Sequence, residues 1–156
     1  MALHKVEDVI GSHTGRARTV LQYSMVTKHL VDEAKKPGFS VDSWGPLAEL
    51  VAVDEFERVG AFKEVMGWPD YVDFLTNWAT SSVWECAFKR ITETDSRVFL
   101  ELEERSEIGE FSNVVNSFSV YEFTDDGKIR HIDLYLQMTP PQPEMLKSFE
   151  GVELSQ

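Results

Sequence analysis

The sequence has very little cysteine and lacks the common motifs for binding metals or nucleotides. Cys86 is the only cysteine among 156 residues, so an intramolecular disulfide is impossible. No Cys/His set has the spacing of a zinc site, and no phosphate-binding glycine loop is present. We therefore expect a reducing compartment, and we predict that the protein needs neither a metal nor any other cofactor.

Basic residues and long apolar segments are also scarce. The 15 Lys and Arg residues are outnumbered by 27 Asp and Glu residues, which gives a formal net charge of −12. Such a charge repels the phosphate backbone that supplies most nucleic-acid affinity, so we expect no nucleic-acid partner. No span of about 20 apolar residues is available to cross a membrane, and MALHKVEDVI carries acidic residues where a secretory signal would be apolar. We expect a soluble, cytoplasmic protein.

Apolar and aromatic residues, by contrast, are abundant enough for one filled core. Hydrophobic residues make up 42% of the chain, which includes 4 Trp, 4 Tyr and 10 Phe. This composition argues against disorder, and a single domain of this length buries roughly 70% of its unfolded surface. We predict one domain over 1–156, with a core at about 16–138 and a C-terminal tail at 139–156.

Three helices are predicted in the first half of the chain. Apolar residues recur at helical spacing over 16–34, and KKPG then supplies a stop. A second helix is predicted to begin at Asp42 or Ser43 and to end near Asp54. A third should begin at GWPD, because proline is favoured in the first turn of a helix. Short helical turns are expected before the first helix, up to Gly11.

The period of the pattern changes from helical to strand-like after Ser82. Alternating, β-rich segments joined by turn residues predict four strands in antiparallel hairpins. A short strand is also expected within DEFERVGAFKEV, between the second and third helices. Helices followed by a meandering sheet give an α+β fold. The four long strands are predicted at 83–92, 97–106, 112–123 and 129–138.

Three stretches of this order resemble a known superfamily: WGPLAELVAVDEF, RVFLELEER and VYEFTDDGKIRHIDLYL. They are similar to the nuclear transport factor 2-like superfamily, which includes ketosteroid isomerase, limonene epoxide hydrolase and the SnoaL-like polyketide cyclases. The resemblance implies one SnoaL-like domain in which three helices pack on a strongly curved, mainly antiparallel sheet. In this cystatin-like roll the concave side encloses an apolar cavity, which is the functional site of the enzymatic members.

Two glutamates are the catalytic candidates that the resemblance suggests. On the short strand Glu57 and Val59 are expected to face inward, and Val59 stands where the isomerases carry their base. This departure leaves Glu57 as the candidate base, with a plain surface role as the alternative. Glu104 matches one of the paired Asp residues of the epoxide hydrolase, but that enzyme's other two catalytic positions are occupied by leucines here. The alternative for Glu104 is a strand-end pair with Arg130.

The resemblance also implies a set of ligand-binding residues. Tyr23 lies near the place of a pocket Tyr in the isomerases, and Ser119 near that of their oxyanion-stabilising Asp. With Tyr121, Ser119 would present hydroxyls that could hold a ligand oxygen, unless small residues there only accommodate the bend of the sheet. On the last strand, alternate residues from Arg130 onward are expected to face the cavity. The ligand-binding candidates are Tyr23, Ser119, Tyr121, Arg130, Ile132 and Leu134.

Two classes of function fit this pattern. The first is a cofactor-independent isomerase, cyclase or lyase-type enzyme that acts by acid/base chemistry on a hydrophobic polyketide-, terpenoid- or steroid-like molecule. The second is a non-catalytic ligand-binding or accessory module of the same fold. Two ionisable residues converging on one position in the cavity would favour the enzyme.

The other face of the last strand carries His131, Asp133, Tyr135 and Gln137. Tyr and His tolerate partial burial better than the Lys and Glu that are usual on a solvent face. We therefore predict a homodimer through this convex face of the sheet. The alternative is a monomer whose convex face is covered by the tail that follows Pro140.

Overall fold

The longest helix of the chain forms where the apolar periodicity predicted it. The computed structural model describes residues 3–139 and Gly151, and in it helix α2 spans Gly15–Glu33. Its buried residues include Val20, Leu21 and Val31, which recur at helical spacing and face the sheet. Before it lie helix α1 (Val6–Val9) and a 3-10 turn (Ile10–Ser12), which confirms the expected short helical turns.

The second predicted helix is much shorter than expected. A 3-10 turn at Val41–Trp44 leads into helix α3, which spans only Gly45–Ala48. The chain then leaves the helix because its backbone bonds to the sheet: the Ile129 amide donates to the Leu50 carbonyl, and the Ala52 amide donates to the Ile129 carbonyl, both at 2.9 Å. The prediction of a helix up to Asp54 was therefore wrong, since local propensity gave way to pairing with a distant strand.

Helix α4 spans Trp68–Ala79 and confirms the third predicted helix. It begins after Gly67 and carries proline in its first turn, where the missing amide donor would have no helical partner. Its buried residues lie on the side that faces the core, namely Trp68, Tyr71, Leu75 and Ala79.

The four long strands follow the predicted antiparallel meander. Each pairs with the next along the chain, and each lies within about two residues of its predicted bounds. Gly109 has φ of +60° in the tight turn before the third of them, a conformation that glycine adopts without steric cost. The strands are β3 (Ser82–Glu93), β4 (Arg97–Ile108), β5 (Phe111–Phe123) and β6 (Ile129–Gln137).

The short strand expected after the second helix exists, but the face assigned to its residues was wrong. It forms a hairpin of β1 (Glu57–Val59) and β2 (Val65–Met66), and the six strands lie in the order β2-β1-β6-β5-β4-β3. Strand β1 runs parallel to β6 and places Arg58 beside the buried Ile132. Registered neighbours share a face, so Arg58 points inward, while Glu57 and Val59 lie on the convex side.

A bulge at the start of β6 explains a second correction. Glu122 pairs with His131, whereas the next residue, Phe123, pairs with Ile129, so Arg130 is left without a partner in the ladder. The extra residue shifts the alternation, as bulges do. Ile129 is fully buried and Arg130 is exposed, so the expectation that Arg130 faces the cavity was wrong.

The α+β class and the curved sheet of the predictions are confirmed, with helices covering the concave side. The core contains fully buried residues from the helices and the strands, including Leu21, Trp44, Leu47, Leu100 and Ile129. Among the described residues, no helix combines the length and the apolarity that a membrane crossing requires. The C-terminal segment proposed as a cover for the convex face lies outside the described residues, Gly151 excepted.

Candidate functional site

A small cavity of about 100 Å³ lies between the helices and the concave face of the sheet. It has room for about three water molecules at ~30 Å³ each, well below the volume of pockets for drug-sized ligands. Polar and apolar side chains share its wall. The lining residues are Tyr23, Ser24, Thr27, Arg58, Tyr71, Trp84, Leu102, Glu104, Ser119, Tyr121, Ile132 and Leu134.

The structure brings most of the sequence-derived candidates together at this cavity. They are Tyr23, Glu104, Ser119, Tyr121, Ile132 and Leu134. Two candidates lie elsewhere. The exposed carboxylate of Glu57 is on the convex side, 3.4 Å from His131 Nδ1. Arg130 is also exposed, and its Nη2 atom lies 3.7 Å from a carboxylate oxygen of Glu122 rather than near Glu104.

Arg58 is the charged cavity residue that the sequence analysis missed. Within the charged run DEFER it has the composition of a surface residue, yet only 13% of its side chain is exposed. A signal was available two residues earlier, because Phe56 is a large apolar residue and is 5% exposed. Side chains in a strand alternate with a period of two, so a buried Phe56 places Arg58 on the same inward face.

The guanidinium of Arg58 is held by weak contacts. Its Cζ atom lies 4.7 Å from the centroid of the Tyr71 ring, within the range of a cation–π interaction. Its Nη1 atom is 3.9 Å from Glu64 Oε1, a long ion pair. Gly60 leaves room for the Glu64 carboxylate in this position, because a Cβ atom there would overlap it.

Two buried tyrosines bring phenol groups to the cavity. Tyr23 on α2 and Tyr121 on β5 pack edge to face, with ring centroids 5.9 Å apart. The Tyr23 hydroxyl is buried and has no hydrogen-bond partner among the described residues. Burial raises the pKa of both phenols above its ordinary value, and the neighbouring Tyr71 raises it further. Both therefore remain neutral hydrogen-bond donors well above neutral pH.

Glu104 is fixed in the cavity wall by a tryptophan. The Trp84 indole Nε1 donates a hydrogen bond of 2.9 Å to Glu104 Oε1. Trp84 is buried on β3, next to the strand that carries Glu104, so the carboxylate is held by a rigid neighbour. The contact replaces the strand-end pair with Arg130 that the sequence had left open, and the second carboxylate oxygen makes no hydrogen bond within the described chain.

A much larger groove of about 980 Å³ lies beside the cavity, between α2, the N-terminal segment and the edge of the sheet. We call it the outer groove. Ser24 lines both spaces, and Cys86 of the groove is registered with Glu104 of the cavity. Burial, with a contribution from the Glu104 carboxylate, raises the pKa of the Cys86 thiol to about 12. The thiol is therefore a neutral element of the wall between the two spaces.

Lys28 crosses the outer groove. Its Nζ donates to Asp32 Oδ1 at 2.8 Å on the same helix and to Glu85 Oε1 at 3.0 Å on β3. These contacts tie the helix to the edge strand. Elsewhere in the described part of the chain, no three His, Cys, Asp or Glu side chains come together in an arrangement that could hold a metal ion.

No protein-family model and no curated protein matches this chain at a significant level. Solved structures do match. The BvnE pinacolase from Penicillium brevicompactum aligns with a TM-score of 0.61 and 10% identity over 97% of this chain and 94% of its own. An NTF2-like protein of unknown function from Exiguobacterium sp. 255-15 aligns with a TM-score of 0.59 and 14% identity, over 75% and 99%.

An LEH-like epoxide hydrolase from M. tuberculosis aligns with a TM-score of 0.53 and 17% identity, over 71% of this chain and 83% of its own. Sequence identities this low carry information about the fold and none about the reaction. The helices over a curved meander, the parallel β1 and the cavity on the concave side agree with that likeness. The chain therefore has the fold of the nuclear transport factor 2-like superfamily.

Proposed function

We propose that this protein is a cofactor-independent isomerase, cyclase or lyase-type enzyme that acts by acid/base chemistry on a hydrophobic small molecule. The proposal depends on one observation: a carboxylate, Glu104, and the phenols of Tyr23 and Tyr121 line the same cavity. A base and hydrogen-bond donors around one position are what proton transfer next to a carbonyl group requires.

Each group has a role that follows from its surroundings. Glu104 is the base that removes a proton from carbon, and Trp84 keeps one of its oxygens in place. Tyr121 donates a hydrogen bond to the oxygen on which negative charge develops, and Tyr23 adds a second donor to the same wall. Leu102, together with the other aliphatic residues of the wall, excludes water, which strengthens these interactions.

The two spaces suggest how a polyketide-, terpenoid- or steroid-like substrate would be bound. The cavity of about 100 Å³ accepts only the reacting part of such a molecule, and the outer groove of about 980 Å³ has room for the remainder. Ser24, which lines both spaces, lies where the molecule would pass from one to the other. Two of the solved structures with this fold, the pinacolase and the epoxide hydrolase, are enzymes by name, which supports a catalytic use of the fold.

Hydrogen exchange at carbon tests the base directly. Cyclic ketones with acidic C–H bonds are incubated with the protein in D₂O, and deuterium incorporation is followed by NMR. We expect catalysed exchange in the wild type and a loss of roughly 10²-fold or more in Glu104→Gln, the usual contribution of a general base. Glu101→Gln is the matched control, because Glu101 lies on the same strand and pairs with Arg90 away from the cavity.

A non-catalytic binding module is the second candidate function. Glu104 is the only carboxylate among the residues that line the described cavity, so a carboxylate dyad is not available there. Ketone binding that is seen by NMR without any exchange above the Glu104→Gln level would favour this candidate over the enzyme. Equal exchange in the wild type and in Glu104→Gln would likewise contradict the role of the glutamate.

A further inference from the structure

The largely buried side chain of Arg58 presents to the cavity a guanidinium that has no hydrogen-bond acceptor among the described residues. Within the described residues it makes no hydrogen bond, and its ion pair with Glu64 is 3.9 Å long. A guanidinium carries five N–H donors and is charged at every accessible pH. A largely buried charge without protein acceptors is costly to desolvate, so an anion on the open side of the cavity would stabilise Arg58.

From this we propose that the cavity binds the carboxylate of its ligand at Arg58, so that the substrate is a small organic acid or a larger molecule with an acidic head. The inference rests on the function proposed for the same cavity. A carboxylate matches the planar fork of a guanidinium and accepts two parallel hydrogen bonds from it. A permanent charge on the ligand suits Arg58 better than a charge that appears only during the reaction, because Arg58 is charged throughout.

The neighbours of Arg58 are arranged for such a ligand. Tyr71 supports the guanidinium with its ring face and leaves the N–H groups free to bond. Tyr23 contributes a buried hydroxyl that has no acceptor within the described chain, and it lines the same cavity. A carboxylate held by Arg58 would have a second donor within the same wall, and the unpaired hydroxyl would gain a partner.

The charges also give the bound molecule a direction. Arg58 is on β1 and Glu104 is on β4, with β6 and β5 between them in the sheet. No ion pair joins the two within the described part of the chain, so they form separate positive and negative ends. Both charges act on Tyr121: the Glu104 carboxylate raises the pKa of its phenol and the Arg58 guanidinium lowers it. The acid group would lie at Arg58 and the C–H bond to be broken at Glu104.

The test compares an acid with its neutral isostere. Binding of crotonate and of crotonamide, both small and closely matched in shape, is measured by ligand-observed NMR on the intact protein at millimolar concentration. We expect wild type to prefer the acid by tenfold or more. Arg58→Gln should abolish that preference, and Arg58→Lys, which keeps the charge but not the fork, should retain part of it.

Arg130→Gln is the matched control, because Arg130 follows Ile129 on β6 but is exposed and pairs with Glu122. It should bind the acid as the wild type does. Circular dichroism checks that each variant is folded, and Arg58→Lys keeps the test decisive if Arg58→Gln does not fold. Equal binding of acid and amide by the wild type, or no binding of either, would overturn the inference.

The outcome separates this inference from the proposed function. Acid preference that depends on Arg58, without any Glu104-dependent exchange, would leave the carboxylate site in place and remove the catalytic role. Exchange that depends on Glu104, without any acid preference, would keep the enzyme and refute the role given to Arg58.

Discussion

On the concave face of the sheet polar groups are buried, whereas on the convex face aromatic groups are exposed. The concave side holds Arg58 and the Tyr23 hydroxyl without hydrogen-bond partners in the described chain. The convex side carries Phe118 and Tyr135, which are 37% and 60% exposed. The strands supply side chains to both faces because their side chains alternate, and helix α2 adds Tyr23 to the concave side. The difference suggests two separate recognition surfaces, one for a polar group of a small molecule and one for apolar protein surface.

The aromatic residues of the convex face are continuous across three strands. Phe99 on β4 stacks on Phe118 of β5 with ring centroids 5.6 Å apart, and Phe118 lies 6.3 Å from Tyr135 of β6. Beside this row, His131 Nε2 is 2.9 Å from Asp133 Oδ1. An aromatic centre bordered by polar groups is the usual composition of a protein interface.

The largest expected effect is the loss of a dimer. We propose that the convex face joins two copies of this chain, and that Tyr135→Glu converts the dimer to a folded monomer by placing a charge in the apolar row. Two subunits of charge −12 repel each other, so the contact should bury on the order of 1,200 Å² or more in total. Sedimentation at micromolar concentration measures the mass.

A substitution on the concave face is the control for Tyr135→Glu. Leu134 precedes Tyr135 in the sequence, but its side chain lines the cavity on the other face of the sheet. Leu134→Ala should therefore leave the dimer intact. A single wild-type species near 17.8 kDa would refute the dimer and favour the monomer with a covered convex face.

A smaller effect should appear in alkaline solution, and it belongs to the concave face. Burial raises the pKa of Tyr23 and Tyr121, so the unfolded chain loses these protons first. Their stabilising contribution is complete below about pH 10 and is lost as the pH rises through the raised folded-state pKa. The free energy of unfolding should fall by up to about 1.4 kcal/mol per pH unit for each phenol.

Two Tyr→Phe variants test whether the buried phenols cause the alkaline loss of stability. Urea denaturation at a series of alkaline pH values gives the slope of the unfolding free energy against pH. Tyr121→Phe should remove one phenol's share of that slope, and the difference from wild type separates this share from the contribution of other groups that titrate in the same range. Tyr23→Phe should remove the other buried phenol's share in the same way. Identical slopes in all three proteins would mean that the buried phenols do not control alkaline stability.

The smallest expected effect concerns a buried serine. Ser117 is 4% exposed on the concave face, and its hydroxyl has no hydrogen-bond partner among the described residues. Ser117→Ala should be neutral or stabilising by up to about 1 kcal/mol, because it removes a desolvated polar group. Ser112→Ala, on the exposed side of the same strand, should change the free energy of unfolding by less than about 0.5 kcal/mol. A clear loss of stability in Ser117→Ala would indicate that a water bonds to the hydroxyl.

The comparison also shows which features the sequence can predict. Turn residues and alternating apolar positions located all four long strands, because each hairpin is specified by neighbouring residues. The inward direction of Ile132 and Leu134 followed from the same alternation, and that of Tyr121 from the family resemblance. These features depend on the spacing of apolar and turn residues over short segments, which can be read from a single sequence.

The errors occurred where distant segments meet. The face of β1 depends on its parallel pairing with β6, and DEFERVG carries apolar residues of both alternations, Phe56 on one and Val59 on the other, so the segment alone does not decide between them. The exposure of Arg130 depends on a bulge set by the pairing of β5 with β6. The second helix ended early because Leu50 and Ala52 bond to Ile129. Each of these is a non-local contact that overrides a local preference.

The size and position of β1 and β2 have a consequence for motion. The two strands have three and two residues, lie at one end of the sheet, and attach to it through the parallel pairing with β6. Short segments with few backbone hydrogen bonds open at low free-energy cost, while the long meander stays closed. Local opening of this hairpin would carry Arg58 away from the cavity. A molecule too large for the closed cavity could then enter by displacing one short hairpin, without loss of the core.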